Sequence, residues 1–245
     1  MFNIYVNADV SAVNFVRHGE STWNVEGRLQ GQGEPKEGLL GNEEGVVFGL
    51  KGRALLDSSI LTEEGQGQAL ELANKIFTWL GEKKRIVLVS SDLKRCRGTT
   101  EIVEKFLKFK SIETLVFYDE RLREADHGIL SGMLEAEYRQ LECFKQYKTF
   151  TPEQQFTMAM DPEYGENYLS VAERVNKAVM QYRLQFPEDE IYFVTHGGPM
   201  RAIYTHLTGS IAPFSTEYDI AGQLKNCSIM KVQYNEDTKP TIEFK

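Results

Sequence analysis

Two histidines occupy matching settings in this chain of 245 residues. His18 follows the run Ala12 to Val16 as Arg17-His18-Gly19, and His196 follows Ile191 to Thr195 as His196-Gly197-Gly198-Pro199. Each imidazole ends an apolar, β-prone segment and is followed by glycine. In a parallel α/β sheet the carboxyl ends of the strands gather at one edge, where ligands bind. Both rings are therefore placed to face one crevice. A lone histidine after a strand is more often a hydrogen-bonded structural residue. Two in equivalent settings, each with an arginine nearby (Arg17 and Arg201), turn the reading toward chemistry. Arg95 adds a third element, four residues after a strand that ends near Ser91 and in the first turn of the next helix. Arg17, Arg95 and that helix N-terminus can together hold a dianion, because guanidinium forks match phosphate oxygens. A surface helix cation is the alternative for Arg95 taken by itself.

Other phosphate chemistries lack their residues. None of Cys96, Cys143 and Cys227 has an arginine six positions later, and there is no G-x-x-x-x-G-K-[ST] loop. Neither H-E-x-x-H nor Cys-x-x-Cys spacing occurs, so no metal site is expected. A histidine nucleophile remains. The charge narrows the ligand: 36 acidic against 28 basic side chains give −8. That balance disfavours nucleic acid, whose phosphate backbone is repelled at long range, without excluding a small phosphate in a local cationic pocket.

The elements that must carry these residues alternate along the chain. Ala12 to Val16, Arg85 to Ser90, Leu115 to Tyr118 and Ile191 to Thr195 read as strands. Between them, Thr62 caps a helix with buried face Ala69, Leu70, Ala73, Ile76, Phe77 and Leu80. A second helix follows Asp92, a third runs from Ser170 to Leu184, and a fourth from Met200 to Leu207 after a sharp Gly-Gly-Pro turn. Strand alternating with helix is the pattern of a layered α/β domain with a mostly parallel sheet. Residues 1–245 read as one domain with two excursions. Gln30 to Gly52, rich in glycine and glutamate, reads as a surface loop or flap without strand or helix, within an insertion of about 30–56. The stretch of about 129–169 is polar, aromatic and irregular, like a lid. The N-terminus has no basic region before an apolar core, and no run approaches the ~20 residues of a membrane helix. With three scattered cysteines, the expectation is a reduced, cytoplasmic protein with no membrane partner. Asn226-Cys227-Ser228 is taken as a chance match to the glycosylation pattern.

These residues resemble a family. Val16-Arg17-His18-Gly19-Glu20-Ser21-Thr22-Trp23-Asn24 is similar to the R-H-G-E signature of the histidine phosphatase superfamily, also called phosphoglycerate mutase-like. The likeness continues in order: Leu61 to Ala69 resembles its L-T-x-x-G-x-x-Q-A helix start, and Ser90 to Thr100 its S-S-x-x-R segment. Leu122-Arg123-Glu124 with Gly128 and Gly132, and then Val194 to Gly198, complete five motifs across about residues 12 to 210. The resemblance implies a three-layer α/β/α sandwich of phosphoglycerate mutase-like fold that works without a cofactor. It implies that His18 attacks phosphorus, that Arg17, Arg95, His196 and Gly197 hold the phosphoryl oxygens with Ser21 and Asn24 as neighbouring donors, and that Glu124 is the proton donor. Gln30 and His127 are candidate substrate contacts; for His127 a packed loop histidine is the other reading.

The implied activity is metal-independent hydrolysis of small phosphate monoesters, in the manner of a histidine acid phosphatase. Phosphoglycerate mutase or sugar-bisphosphate phosphatase is the alternative, and a non-catalytic phospholigand binder a third. Mutase relatives carry an adjacent arginine pair after the Glu124 motif, whereas residues 129–169 here offer only Arg139, Lys145 and Lys148. Gly27-Arg28-Leu29-Gln30-Gly31 also resembles the phosphatase branch. The partner expected is a small phosphorylated substrate, and a second copy in a homodimer is compatible with the sequence. The extra residues before the first strand and the long glycine-rich link are departures from the family pattern, and the link is expected to cover the substrate entrance.

Overall fold

The computed structural model describes residues 12–35, 44–49, 53–214, 220–234 and 239–245. The extension before the first strand and residues 36–43 and 50–52 of the insertion lie outside the described residues. Strand formation follows the apolar runs. β1 (Ala12–Arg17), β5 (Arg85–Ser90), β6 (Glu113–Tyr118) and β7 (Glu190–Thr195) pair in parallel, and β8 (Ile229–Gln233) and β9 (Thr241–Phe244) add antiparallel at one side. The order is β6-β5-β7-β1-β8-β9.

Successive side chains of these strands enter opposite cores. Val13, Phe15, Val87, Val89, Ile191 and Phe193 pack on one face with Val171, Val175, Val179 and Ile203. Val16, Ile86, Leu88, Tyr192 and Val194 pack on the other with Leu72, Ile76, Val103 and Leu107. That period of two explains why the runs are continuously apolar: a parallel strand covered on both sides has no polar face. The covering helices are α2 (Glu63–Leu80) and α3 (Lys94–Phe109) on one side, and α7 (Tyr168–Gln185) and α8 (Gly197–Thr208) on the other. The result is the expected three-layer α/β/α sandwich with a mostly parallel sheet.

Two expectations change. Gly197-Gly198-Pro199 is not a turn ahead of a helix starting at Met200 but the first turn of α8, with His196 at its N-cap. Proline fits there because the first N–H groups of a helix have no intrahelical partner. Part of the Gln30 to Gly52 segment is also strand. β2 (Glu34–Pro35), β3 (Val46–Phe48) and β4 (Ala54–Leu56) form an antiparallel sheet in the order β2-β4-β3. Strands of two or three residues are too short for an alternating pattern to show. The remaining helices are short: α1 (Thr22–Glu26) follows the first histidine loop, α4 (Glu135–Tyr138), α5 (Glu142–Lys148) and α6 (Pro152–Thr157) build the excursion, and α9 (Ile220–Gln223) precedes β8.

Candidate active site

Sheet register brings the histidines together. β1 lies beside β7 with Arg17 opposite Thr195, and the His18 N–H donates to the Thr195 carbonyl at 3.0 Å. The next residue of each strand is then His18 and His196. Their ring centroids are 5.2 Å apart with planes at 62°. Both rings are buried, His18 at 1% exposure and His196 at 0%.

The His18 loop is held from several sides. Its Nδ1 lies 2.7 Å from the Gly19 carbonyl. A carbonyl only accepts, so Nδ1 carries the proton and Nε2 keeps its lone pair in the neutral ring. Gly19 and Gly65 are glycines because of a close approach. A Cβ on Gly19 would lie 2.5 Å from the Gly65 carbonyl oxygen, and one on Gly65 would overlap the Glu20 carbonyl oxygen. The start of α2 thereby braces the loop, and Thr62 both caps that helix through the Gly65 N–H (3.0 Å) and donates to the Glu20 carboxylate (2.8 Å).

Ser21 and Asn24 are linked to each other: the Ser21 N–H and Oγ–H both donate to Asn24 Oδ1 at 3.0 Å. Gln30 Nε2 reaches Ser21 Oγ at 3.4 Å, while Gln30 Oε1 is buried without a partner. Asn226, set aside in the sequence as part of a chance motif, donates to the His18 carbonyl at 3.0 Å.

Arg95 is the opposite of a surface cation: its side chain is fully buried. Nε donates to His196 Nδ1 at 3.2 Å and Nη2 to the Gly31 carbonyl at 2.8 Å. Nη1 is buried without a hydrogen-bond partner and forms a long ion pair, 4.0 Å, with Asp57 Oδ1, which likewise has no hydrogen bond. Arg17 donates through Nη1 to the Leu224 carbonyl at 2.6 Å, and its Nε is buried and unpartnered. A Cβ on Gly197 would sit 3.8 Å from that Nε, placing Gly197 beside it. Arg201 turns away from the histidines to the Pro213 carbonyl.

Glu124 reaches the same place from the end of the β6 connection. One carboxylate oxygen accepts from the Ala125 N–H at 2.9 Å and the other from the Gly198 N–H at 3.2 Å. A Cβ on Gly198 would overlap that carboxylate, so the second glycine after His196 makes room for it. Its carbonyl is held by Gln32 Nε2 and Arg174 Nη2, each at 3.1 Å. His127 packs edge-on against Tyr168 with centroids 6.2 Å apart, and Tyr168 in turn abuts Gly198. His127 thus sits behind Glu124 in a packed position.

The electrostatics follow from burial and two guanidinium groups. His18 and His196 are driven well below the usual imidazole range, first by burial and then by Arg95. Glu124 is raised: burial outweighs the N–H of Ala125, Arg95, the N–H of Gly198 and Arg17, all of which favour its anion. Asp57 is raised by burial as well, against Arg95 and the Lys94 N–H. The arrangement therefore holds a neutral imidazole with an open Nε2, two fixed cations and a carboxyl group inclined to keep its proton.

Sequence reasoning missed Asp57, Ser91 and Arg174. Asp57 accepts from the Lys94 N–H at 2.7 Å, and Ser91 Oγ lies 3.0 Å from His196 Nε2. Ser91 stood inside a recognised motif, whereas Asp57 and Arg174 carry no local signal. The insertion lies against the site through Gly31, Gln32 and the Phe48 carbonyl, which accepts from Arg123 at 3.1 Å. A cleft of about 380 Å³ opens between Val46, Val47, Phe48, Asp57, Lys94 and Arg123. Among the described residues, no cluster of three or more His, Cys, Asp or Glu is arranged to hold a metal ion, and no helix is long and apolar enough to cross a membrane.

Fold and site together define an α/β protein with paired histidines and arginines at the carboxyl edge of its parallel strands. The chain belongs to the histidine phosphatase superfamily, branch 1, whose family model matches residues 49–244, and it is an enzyme of that superfamily. It is 29% identical over 235 residues to a metal-independent phosphoserine phosphatase of Arabidopsis thaliana, covering 96% of this chain and 81% of the relative. It is also 29% identical over 227 residues to a probable phosphoglycerate mutase, GpmB, of Citrobacter koseri, covering 91% and 85%. Among solved structures, a mycobacterial glucosyl-3-phosphoglycerate phosphatase shares the fold with TM-score 0.66 at 22% identity, over 96% of this chain and 97% of that one.

Proposed function

We propose that this enzyme hydrolyses small phosphate monoesters without a metal, through a phosphohistidine on His18. The observation that carries the reading is a pair of buried guanidinium N–H groups without a hydrogen-bond partner, Arg17 Nε and Arg95 Nη1 (the latter 4.0 Å from Asp57 Oδ1), beside an imidazole whose Nε2 bears a lone pair. Leaving such donors unsatisfied costs about 1–3 kcal/mol each or more, and phosphoryl oxygens would satisfy them. In the first step Nε2 of His18 bonds to phosphorus as the ester P–O bond breaks, and Glu124 delivers its proton to the departing oxygen. In the second, Glu124 takes a proton from water, the water oxygen bonds to phosphorus, and the N–P bond breaks to release phosphate. Arg17 and Arg95 stabilise the charge on the transferring group throughout. His196, Gly197, Ser21 and Asn24 flank it, with His196 Nδ1 also 3.2 Å from Arg95 Nε.

Hydrolysis is favoured over mutase activity by the excursion. Arg139 there is exposed and paired with Glu135, and Lys145 and Lys148 fall in the last turn of α5. None is among the groups that converge on His18. Turnover of 4-nitrophenyl phosphate in excess chelator tests the reading. Activity and acid-labile phosphoenzyme should both vanish in His18→Ala; persistence of turnover in that variant refutes it. Phosphoserine and 3-phosphoglycerate, the latter with its bisphosphate primer, then distinguish hydrolysis from phosphoryl exchange.

A further inference from the structure

The peptide that joins Glu124 to Ala125 is engaged on both sides. Its C=O and N–H lie in one rigid plane and point in opposite directions. On one side the Ala125 N–H donates to the Glu124 carboxylate at 2.9 Å. On the other the Glu124 carbonyl accepts from Gln32 Nε2 and Arg174 Nη2, each at 3.1 Å. A carbonyl only accepts, so Gln32 presents its NH2 group there. Arg174 has other bonds to serve: Nε and Nη2 donate to the Glu166 carboxylate at 2.8 and 2.9 Å, and Nη1 to the Arg121 carbonyl at 2.6 Å. Gln32 is buried and comes from the insertion. The insertion also grips the positions on either side of Glu124. Arg123 Nη1 donates to the Phe48 carbonyl at 3.1 Å, and a Cβ on Gly49 would lie 2.5 Å from Asp126 Oδ2.

We propose that Gln32 is a positioning residue: by holding the Glu124 carbonyl beside Arg174, it aims the Ala125 N–H at the Glu124 carboxylate and ties the docking of the insertion to that group. Donors on a carbonyl polarise the whole amide, so the N–H on its far side becomes a better donor. That N–H favours the Glu124 anion, as do Arg95, the Gly198 N–H and Arg17, all against burial. The charged and titratable groups around the carboxyl are Arg17 from β1, Arg95 and Cys96 from α3, and Tyr168 and Arg174 from α7, with His18 and His196 facing it from the ends of β1 and β7. Burial pushes the Tyr168 phenol up to about 12 and the Cys96 thiol upward too, and it drives both imidazoles well down. Glu124 therefore titrates among neighbours of constant charge. The inference rests on the reading of Glu124 as the proton carrier, although its first test does not involve turnover.

That test follows the Ala125 amide proton by NMR in the phosphate-free, ¹⁵N-labelled protein. In wild type the signal should move as the Glu124 carboxyl titrates, and the movement should be lost in Glu124→Gln. An Ala125 amide that does not move overturns the proposal before Gln32 is touched. Gln32→Met keeps the length of the side chain and removes the donor. It should raise the titration midpoint by about one pH unit, the size expected when a hydrogen bond to a charged group is weakened. The acid limb of kcat for 4-nitrophenyl phosphate, where Glu124 must act as a base on the phosphoenzyme, should rise by the same shift. Inorganic phosphate affinity should stay as in wild type. An unmoved midpoint in Gln32→Met refutes the role, as does a lowered kcat whose acid limb stays in place. If no phosphate ester is turned over by the wild type, the functional reading fails while the amide titration still decides the role of Gln32.

Discussion

Replacing Glu124 by glutamine separates its chemistry from its packing. The carboxylate accepts two backbone N–H bonds, from Ala125 and Gly198. A glutamine amide has one oxygen, so its NH2 must face one of those donors and leave that N–H unsatisfied. The cost in stability is about 1–3 kcal/mol, and the volume is conserved. The chemical cost is larger and depends on the substrate. Glutamine has no proton to give, and general acid catalysis contributes about 10²–10⁴-fold. An alkyl ester, whose alkoxide leaves poorly, should therefore lose about 10³-fold in kcat/KM. 4-Nitrophenolate leaves without a proton, so phosphorylation of His18 by 4-nitrophenyl phosphate should survive while hydrolysis of the phosphoenzyme slows. Stopped-flow at 400 nm (roughly the absorption of nitrophenolate) should then show a burst close to stoichiometric with enzyme, followed by slow turnover. With the alkyl ester there should be no rapid phosphorylation phase, and turnover should fall by the same ~10³-fold. Equal losses on both substrates, or wild-type turnover of the alkyl ester, would refute Glu124 as the proton carrier.

Two glycines of one helix should respond in opposite directions. Gly65→Ala drives a Cβ into the Glu20 carbonyl oxygen; it should lower the urea-unfolding free energy by about 1–3 kcal/mol and weaken phosphate binding by shifting the His18 loop. Gly67→Ala meets open space in the same helix and should raise stability by about 0.8–1 kcal/mol with no kinetic change. Buried His127 is lowered to about 4, chiefly by burial and then by Arg201. The unfolded chain therefore binds more protons between the ordinary imidazole pKa of about 6.5 and the folded value, and stability present above that range is lost as pH falls through it. His127→Gln should remove up to about 3 kcal/mol of that loss, read as the difference between the two proteins' unfolding free energies at pH 7 and pH 4.5 (roughly the two ends of the window). Parallel curves would show that His127 is not the neutral buried group assigned here. Glu124 and Asp57, both raised by burial, act with the opposite sign in both proteins and cancel in the difference.

The amino-acid sequence by itself determined the residues that converge and the layered fold that carries them. Apolar runs such as Ile86 to Val89 dictate strands buried on two faces, and the helical spacing of Ala69, Ala73 and Ile76 dictates a covering helix. The short order of residues around His18, Glu124 and His196 was equally legible, because each motif is local and its glycines mark close approaches, to backbone at Gly19 and to the Glu124 carboxylate at Gly198. Tertiary structure decided everything that depends on which distant segments touch. The register of Arg17 against Thr195 sets the two rings side by side, and no local pattern encodes a register between strands so far apart. Burial turned Arg95 from a candidate surface cation into a fixed internal one. The antiparallel pairing of Glu34–Pro35, Val46–Phe48 and Ala54–Leu56 made a sheet of what reads as loop. The protonation pattern came last: the His18 Nδ1–H follows from the Gly19 carbonyl, which only accepts, placed 2.7 Å away. A residue's type states which bonds it can make, and only the folded chain states with whom.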